Sequence, residues 1–475
     1  MKQLIVVALI GITLLGCKNV DSNCGIAYFG GEIINPNNDH IVLYDATSHP
    51  IDTLYLDEDN RFFRPMENLN PGLYSFVHGG EYQVVLLEPN DSIMIRLNTY
   101  DFDESLVFTG KGSKKNNYLL SLFIEIESEN KTMYELGKKT EPVQFQAVLD
   151  SIKNSKHEKL DNFLMKHPSS DLFNKVSKAC IDYTYYAQKE IYPFRYFGIH
   201  YVSPDVLPDN YYAFRSEVDY DDEALKDFYP YYNFLFPHFN NLALGKYVEE
   251  TGDTIFNRHS VNYNMNKLHL IDSLIGKGPI KNNLLKYTTR NFLSNSNVAD
   301  ESELVYNSFM DKSTNKEHKD YISDFYKTLQ RLQPGIHFPD VELINRKGRT
   351  LSISTLFKKP TIIHFWTKAN KYHATDSHEK VLSLREKHPD LEFVSINVNA
   401  QSVPSWKQLM GKNKFKHEHE YMLRNPEIAK KLLALYNIYK VIVVNENGEI
   451  ISSNSNMFSP DFSNLLADIS SYKTQ

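Results

Sequence analysis

The sequence predicts a multidomain α+β protein, with an N-terminal antiparallel β-sandwich, a helical middle region and a C-terminal α/β domain. Apolar residues alternate with polar ones over about residues 26–109, recur every three or four positions over about 116–332, and form short continuous runs from about 334 onward. A chain of 475 residues has room for two to four domains. The predicted boundaries are residues 1–17 for a leader, 18–112 for the sandwich, 113–332 for the helical region and 333–475 for the α/β domain.

The composition is that of a globular protein, with 41% hydrophobic and 23% charged residues. The net charge of -7 argues against nucleic-acid binding, because a protein that neutralises phosphates needs a basic surface. We therefore expect no nucleic-acid partner.

The first 17 residues, MKQLIVVALIGITLLGC, have the form of a leader. The apolar run from Leu4 to Leu15 is too short to span a bilayer as a stable helix. Its end, LLGC, resembles the bacterial lipobox, which implies that Cys17 carries the acyl chains that anchor the protein in a membrane. We expect a lipoprotein of the cell envelope, on the periplasmic side or in the outer membrane. Lys18 stands where many lipoproteins retained in the inner membrane have an aspartate, which favours the outer membrane. An uncleaved N-terminal membrane helix is the alternative.

The chain has two other cysteines, Cys24 and Cys180. They could form a disulfide in an oxidising compartment, but we favour two unpaired thiols. Neither belongs to a Cys-x-x-Cys motif, so neither indicates redox activity.

The sandwich prediction depends on period-two strands that are separated by turn residues. The region also resembles the N-terminal β-domain of envelope lipoproteins that carry a C-terminal thioredoxin-like module. The matching segments are IDTLYLDEDNRFF, NPGLYSFV, LEPNDSIMI and FTGKGSKKNNYL. This β-domain has no established activity, so the resemblance implies no catalytic residue here.

The helical region contains clusters of tyrosine between its amphipathic segments. Tyrosine offers apolar area with a polar tip, so a groove that captures a glycan or a peptide is conceivable. We favour the alternative that these rings pack helices together. The tyrosines considered are Tyr211, Tyr212, Tyr229, Tyr231 and Tyr232.

The C-terminal region reads as the order β, α, β, α, β, β, α, with its first long helix beginning near Asp376 and capped by Asp376 or Ser377. Asn447 and Gly448 predict a hairpin before the last helix. The region resembles the membrane-tethered thiol-disulfide oxidoreductases of the thioredoxin superfamily, the branch used in cytochrome maturation. The matching segments are PGIHFPDVELINRKGRTLSISTLFKKP, the Phe365-Trp366 dipeptide, LEFVSINVN and VIVVNENGEI.

The resemblance implies a Cys-x-x-Cys motif shortly after Trp366, where this chain has Asn370, Lys371, Tyr372 and His373. Asparagine has no ionisable nucleophile, and histidine cannot form a mixed disulfide. The chain has no cysteine after Cys180, so no shift of the alignment restores the motif.

The family also places a cis-proline before the strand that faces the redox motif. Counting back from the Asn447-Gly448 hairpin puts Tyr439 at this position. Cis bonds before residues other than proline are rare and costly, so we expect a trans peptide there.

Several histidines invite comparison with a metal site, because imidazole is a common zinc ligand. Their spacing fits no ligand pattern, and we expect neither a metal nor a cofactor. The histidines are His364, His373, His378, His417 and His419.

Together these observations predict an envelope lipoprotein whose thioredoxin-like domain is redox-inactive and binds a protein or peptide partner. The first alternative is a thiol-disulfide oxidoreductase that works through Cys24, Cys180 or the thiols of a partner. The second is capture of a glycan or peptide by the tyrosine-rich region.

Overall fold

The structure is a computed structural model that describes residues 25–471, apart from 46–48, 199–200, 227, 297, 401 and 416–417. Cys17 and Cys24 lie outside the described residues. The chain divides into two compact units, Met1–His238 and Phe239–Gln475. In the part that the structure describes, no helix is both long enough and apolar enough to cross a membrane.

The first unit begins with strands. They are β1 (Ala27–Ile34), β2 (His40–Tyr44), β3 (Pro50–Tyr55), β4 (Arg61–Met66), β5 (Gly72–His78), β6 (Glu81–Leu87), β7 (Ser92–Asn98) and β8 (Val107–Lys111), with the short helix α1 (Phe102–Ser105) before β8.

These strands form the predicted sandwich of two four-stranded sheets, with orders β4-β1-β7-β8 and β3-β2-β5-β6. All pairings are antiparallel except that of β1 with β7, which is parallel. The inward side chains of alternate positions meet between the sheets, where Phe29 and Phe76 are fully buried with ring centroids 5.6 Å apart. Burying a phenylalanine of this kind contributes about 2 kcal/mol.

Helices follow the sandwich. They are α2 (Ser113–Lys139), α3 (Pro142–Lys166), α4 (Asp171–Phe197) and α5 (Tyr229–Thr251), with short 3₁₀ turns at Pro204–Val206, Ala213–Glu217 and Glu223–Leu225. Local signals fix their starts: Pro142 opens α3, where a missing N–H costs nothing, and Ser170 caps α4 by accepting the N–H of Phe173.

The tyrosines of this unit pack inside it. Tyr211 and Tyr231 are buried, and their hydroxyls donate to the backbone oxygens of Lys189 and Asp219. Tyr232 donates likewise to the Lys226 oxygen. The interpretation of these rings as packing elements is therefore confirmed for Tyr211 and Tyr231, and it is wrong for Tyr229, which is 64% exposed at the start of α5.

The second unit combines four further helices with the α/β domain. The helices are α6 (Val261–Leu274), α7 (Pro279–Asn295), α8 (Ala299–Lys312) and α9 (Lys316–Gln330). The strands of the α/β domain are β9 (Glu342–Asn345), β10 (Thr350–Ser352), β11 (Thr361–Trp366), β12 (Glu392–Asn397), β13 (Glu420–Leu423), β14 (Val441–Val444) and β15 (Ile450–Ser455). Its helices are α10 (Lys371–Lys387), α11 (Val403–Lys412), α12 (Pro426–Leu432) and α13 (Asp461–Ser471), with a 3₁₀ turn at Ile353–Leu356.

The seven strands form one sheet in the order β10-β9-β13-β12-β11-β14-β15. At its centre β11 pairs parallel to β12 and antiparallel to β14, which continues antiparallel to β15. All six residues of β11 are buried, as expected of a central strand. This β-α-β followed by a terminal hairpin and helix is the thioredoxin-like order, so the predicted fold class is confirmed.

Two details of the domain differ from the prediction. The first long helix, α10, begins at Lys371 and not near Asp376, and its N-cap is Asn370. The strand β13 was not predicted, and it joins β12 to β9. Both differences bear on the site, because α10 starts where the redox motif was expected and β13 brings Glu420 beneath it.

Candidate functional site

The start of α10 lies directly after the central strand β11, which is where the resemblance implied a redox motif. The Oδ1 atom of Asn370 accepts the backbone N–H of His373 at 3.1 Å, so Asn370 caps the helix. Lys371 and Tyr372 point outward, and the Tyr372 side chain is 84% exposed. The position expected for a nucleophilic thiol therefore holds a capping side chain.

His373 lies inside the fold, with only 3% of its surface exposed. Its ring centroid lies 4.5 Å from that of Tyr439 and 6.2 Å from that of Phe458. Burial lowers the pKa of His373, the neighbouring Asp376 opposes this shift and His378 adds to it. In the part of the chain that the structure describes, its Nδ1 has no hydrogen-bond partner. A neutral imidazole thus fills the space beneath two aromatic rings.

Tyr439 stands in the loop before β14, at the position where the resemblance implies a proline. Its backbone N–H donates to Oδ1 of Asn437 at 3.0 Å, a bond that proline could not make. None of the peptide bonds described by the structure is cis. The Tyr439 ring is partly exposed and lies 6.1 Å from the Phe458 ring, and both rings lie near the ring of His373, the residue that follows the exposed Tyr372. We call the exposed side chains of Tyr372, Tyr439 and Phe458 the ring face.

A polar cleft of about 630 Å³ opens beside the ring face, within the second unit. One wall comes from the loop before α6 and the end of α7, and the other from the loop before β14, the end of β15 and the start of α13. A smaller pocket of about 180 Å³ adjoins it and shares Arg258, His259, Asn295 and Asn437. Tyr439 belongs to both the ring face and the cleft.

Lys440 lies at the cleft and is buried, with 5% of its surface exposed. Its Nζ donates to the backbone oxygen of Leu433 at 2.9 Å, next to the C-terminus of α12, where a cation is favourable. Burial lowers the pKa of Lys440 to about 7. Sequence reasoning missed this lysine, for which the only signal is a charge directly before the apolar run VIVV.

A second polar group that the sequence did not reveal lies beneath α10. The buried Glu420 accepts the indole N–H of Trp366 at 3.2 Å, and its other oxygen lies 2.9 Å from Nε2 of His378. The Nδ1 atom of His378 donates to the backbone oxygen of Ala374 at 2.6 Å. This network ties α10 to β11 and β13, so His378 supports the position of the helix.

The other histidines that the sequence offered as metal ligands are His364, His417 and His419. His364 is buried in β11, with its ring centroid 5.8 Å from that of His378, and His417 lies outside the described residues. His419 lies 3.6 Å from a carboxylate oxygen of Glu392. Among the residues that the structure describes, no three side chains of His, Cys, Asp or Glu form a group that could hold a metal ion.

Among the residues that the structure describes, Cys180 has no disulfide partner, and it lies in the interior of α4, in the first unit. It is fully buried, and burial raises the pKa of its thiol, so the reactive thiolate is disfavoured. This environment is that of a packing residue.

No protein-family model matches the chain, and no curated protein sequence matches it. Solved structures are similar to part of it. The thioredoxin domain of a thiol-disulfide oxidoreductase from Bacteroides vulgatus is 18% identical over 29% of this chain and 97% of its own length, with a TM-score of 0.25. A thiol:disulfide interchange protein from Bacteroides sp. is 17% identical over 30% of this chain and 92% of its own length, also with a TM-score of 0.25. At these identities the likeness concerns the fold alone.

Proposed function

We propose that this chain is a membrane-anchored envelope lipoprotein whose thioredoxin-like domain is redox-inactive and serves as a scaffold that binds a protein or peptide. The observation that carries this proposal is the environment of Asn370 and His373. One of these side chains caps α10 and the other is buried under aromatic rings, so both have structural roles at the positions where thiols are expected.

The distribution of cysteines supports redox inactivity. Thiol-disulfide exchange needs a thiolate that attacks a disulfide sulfur, and the α/β domain has no cysteine in its sequence. Cys180 lies in the other unit, buried and with a raised pKa.

The ring face supports a binding role. Tyr372 projects into solvent, and Tyr439 and Phe458 are each 41% exposed. Aromatic side chains of this kind are enriched in the anchoring positions of protein interfaces. Because the cleft beside them is polar, the surface suits an extended segment that carries both apolar side chains and peptide groups.

The anchor in this proposal is the lipid on Cys17, with an envelope location that is periplasmic or in the outer membrane. Its support is the leader sequence with its LLGC ending and the lysine that follows. Neither Cys17 nor Lys18 belongs to the described residues.

The alternative is a thiol-disulfide oxidoreductase, and the thioredoxin-like order of the sheet favours it as the second candidate. It would need Cys24, Cys180 or the thiols of a partner. Reduction of insulin by the full-length protein in detergent separates the two. We expect the uncatalysed rate, whereas a faster rate that is lost in Cys24→Ala or Cys180→Ala would establish the alternative.

The binding role is tested by photo-crosslinking in intact cells. A photoreactive amino acid replaces Tyr372 on the ring face, and the matched control carries it in place of Tyr100, which is 79% exposed on the sandwich. We expect a discrete adduct in the membrane fraction from position 372 only, and loss of the protein from that fraction in Cys17→Ser. Identical adducts from both positions, or none from position 372, would contradict the scaffold proposal.

A further inference from the structure

The cleft beside the ring face carries more positive than negative groups. The charged side chains that line it are those of Arg258, Lys440 and Asp461, and His259 is the other titratable group beside Tyr439. Burial lowers the pKa of His259, and the charge of Arg258 lowers it further, so His259 is neutral near neutral pH. The cleft is therefore lined by the permanent cation of Arg258, by Lys440, which is about half protonated at pH 7, and by one carboxylate.

Neither cation has a carboxylate partner among the described residues. The Nζ atom of Lys440 has one hydrogen bond, to the Leu433 oxygen, although the side chain is more than nine-tenths buried. A buried ammonium without a counter-charge is costly, and an anion that enters the cleft would supply this charge.

Arg258 is exposed at the same cleft. Within the described part of the chain its side chain makes one hydrogen bond, from Nε to Nε2 of His259 at 3.1 Å. The terminal nitrogens of the guanidinium remain available, and their planar geometry suits the two oxygens of a carboxylate.

Four asparagine side chains give the cleft hydrogen-bond donors and acceptors. The oxygens of Asn437 and Asn456 accept backbone N–H groups, which leaves their NH₂ groups for a ligand. The NH₂ groups of Asn295 and Asn454 donate to backbone oxygens, which leaves their oxygens for a ligand. The cleft thus offers both donors and acceptors, the combination that peptide groups require.

We infer that the cleft binds a carboxylate group of a peptide, with Arg258 and Lys440 facing the carboxylate and the asparagine amides facing the adjoining peptide groups. This inference rests on the proposed scaffold function, since it specifies the chemistry of the segment that the ring face would bind. The carboxylate belongs either to the C-terminus of the peptide or to an acidic side chain.

Three libraries of N-acetylated heptapeptides separate these possibilities on the full-length protein in detergent. The first has free C-terminal carboxylates and no Asp or Glu, the second has amidated ends and one Glu, and the third has amidated ends and no acidic residue. We expect peptides of the first or the second library to bind at least about tenfold more tightly than those of the third, as charged hydrogen bonds would give.

The outcomes are distinct. Preference for the first library assigns the C-terminal carboxylate, and preference for the second assigns the side chain. Equal binding of all three libraries overturns the carboxylate inference while leaving peptide binding intact. Binding of none of the libraries overturns both the inference and peptide binding as the proposed function.

Substitutions locate the binding. Arg258→Met and Lys440→Met should each weaken binding of the preferred acidic peptides about tenfold. The matched control is Lys431→Met, at an exposed lysine of α12 that lies outside the cleft. Because Arg258 is exposed, its variant should fold even if Lys440→Met does not. Unchanged affinity for acidic peptides in Arg258→Met would overturn the inference.

Discussion

At the scale of single residues, Asn370 shows how a position expected to be reactive can serve the fold. A helix leaves its first N–H groups without partners, and the side chain of Asn370 satisfies that of His373. Asparagine is among the preferred residues for this role. The capping bond therefore gives Asn370 a structural role at this position.

Replacing this cap should destabilise the α/β domain. We expect Asn370→Ala to lower the free energy of unfolding by about 1 kcal/mol, because an N–H loses its acceptor. Asn370→Asp should keep the stability, since its carboxylate both accepts the N–H and favours the helix N-terminus. Urea titration followed by tryptophan fluorescence measures this domain, which contains both tryptophans of the chain, Trp366 and Trp406. Equal midpoints for wild type and Asn370→Ala would rule out the capping role.

Lys440 makes the stability of the domain depend on pH, and the sign of this dependence follows from the burial of the lysine. Its pKa falls from the ordinary value of 10.5 to about 7 in the folded protein. Between these values the unfolded chain binds more protons than the folded one, so the stability rises with pH across this window. Burial also lowers the pKa of Lys267 to about 8, which adds a contribution of the same sign in the same unit.

The contribution of Lys440 is isolated by comparing wild type with Lys440→Met. Between pH 7 and 9 the free energy of unfolding should rise more steeply in wild type than in Lys440→Met, and the two slopes should differ by about 1 kcal/mol per pH unit. Lys431→Met, at an exposed lysine, should follow wild type. The measurement is the tryptophan-detected urea midpoint at each pH, and parallel curves for wild type and Lys440→Met would contradict the lowered pKa.

At the scale of elements, the first turns of α2 join the two sheets of the sandwich. The Asn116 amide accepts the N–H of Leu86 and donates to its oxygen, at 2.7 and 2.9 Å. The Asn117 amide does the same for Phe108, at 3.0 and 2.8 Å. Leu86 lies on β6 and Phe108 on β8, which are edge strands of different sheets. Each asparagine therefore takes the place of a neighbouring strand and closes an edge.

Neighbouring residues fix this docking. Lys115 pairs with Asp91 at 2.7 Å and with Glu88 at 2.5 Å. Gly112 before the helix has a φ of 91°, and a Cβ atom there would lie 2.3 Å from a carboxylate oxygen of Asp91. The residues of the segment FTGKGSKKNNYL thus attach α2 to the sandwich.

Hydrogen exchange tests the two amide clamps separately. Asn116→Ala should speed exchange of the Leu86 amide, and Asn117→Ala that of the Phe108 amide, because each N–H loses its acceptor. We expect the free energy of unfolding to fall by about 3 kcal/mol in Asn116→Ala, where the side chain is buried, and by less in Asn117→Ala, where it is half-buried. Lys114→Ala, at an exposed neighbouring lysine, should change neither amide. Faster exchange at both amides in either single variant would show that the clamps are not independent.

Element boundaries were less predictable than element types. Cap-forming residues occur at both Asn370 and Asp376, and the sequence alone favoured the later start. The structure selects the earlier one because His373 and Ala374, in the first turn of α10, are buried. The strand β13 escaped prediction because four residues are too few to show a period, and its pairing with β12 and β9 is a tertiary effect.

At the scale of the whole molecule, the sandwich, the helices and the thioredoxin-like sheet were predictable because each has its own hydrophobic pattern: alternating, helical or continuous. The grouping of the helices was not. The helices α2, α3 and α4 belong to the same unit as the sandwich, whereas α6 to α9 belong to that of the α/β domain. Periodicity identifies which face of a helix is buried but not its neighbour.

The same limit applies to the candidate site. Asn370, His373 and Tyr439 could be placed from the resemblance, because they stand at defined distances from recognisable strands. Arg258 lies more than a hundred residues earlier in the sequence, and only the packing of the second unit brings it to the same cleft as Lys440. A site built by two distant segments leaves no local pattern.

The hydrogen bond from the Tyr439 N–H to Asn437 also limits how a Cys-x-x-Cys motif and its proline could be introduced into this domain. Tyr439→Pro would remove the donor of that bond, Asn370→Cys would remove a helix cap, and His373→Cys would leave a void beneath two rings. Each step alone costs stability and yields no disulfide chemistry, which requires two thiols together. Each of these first steps is therefore unfavourable for stability unless a second change compensates for it.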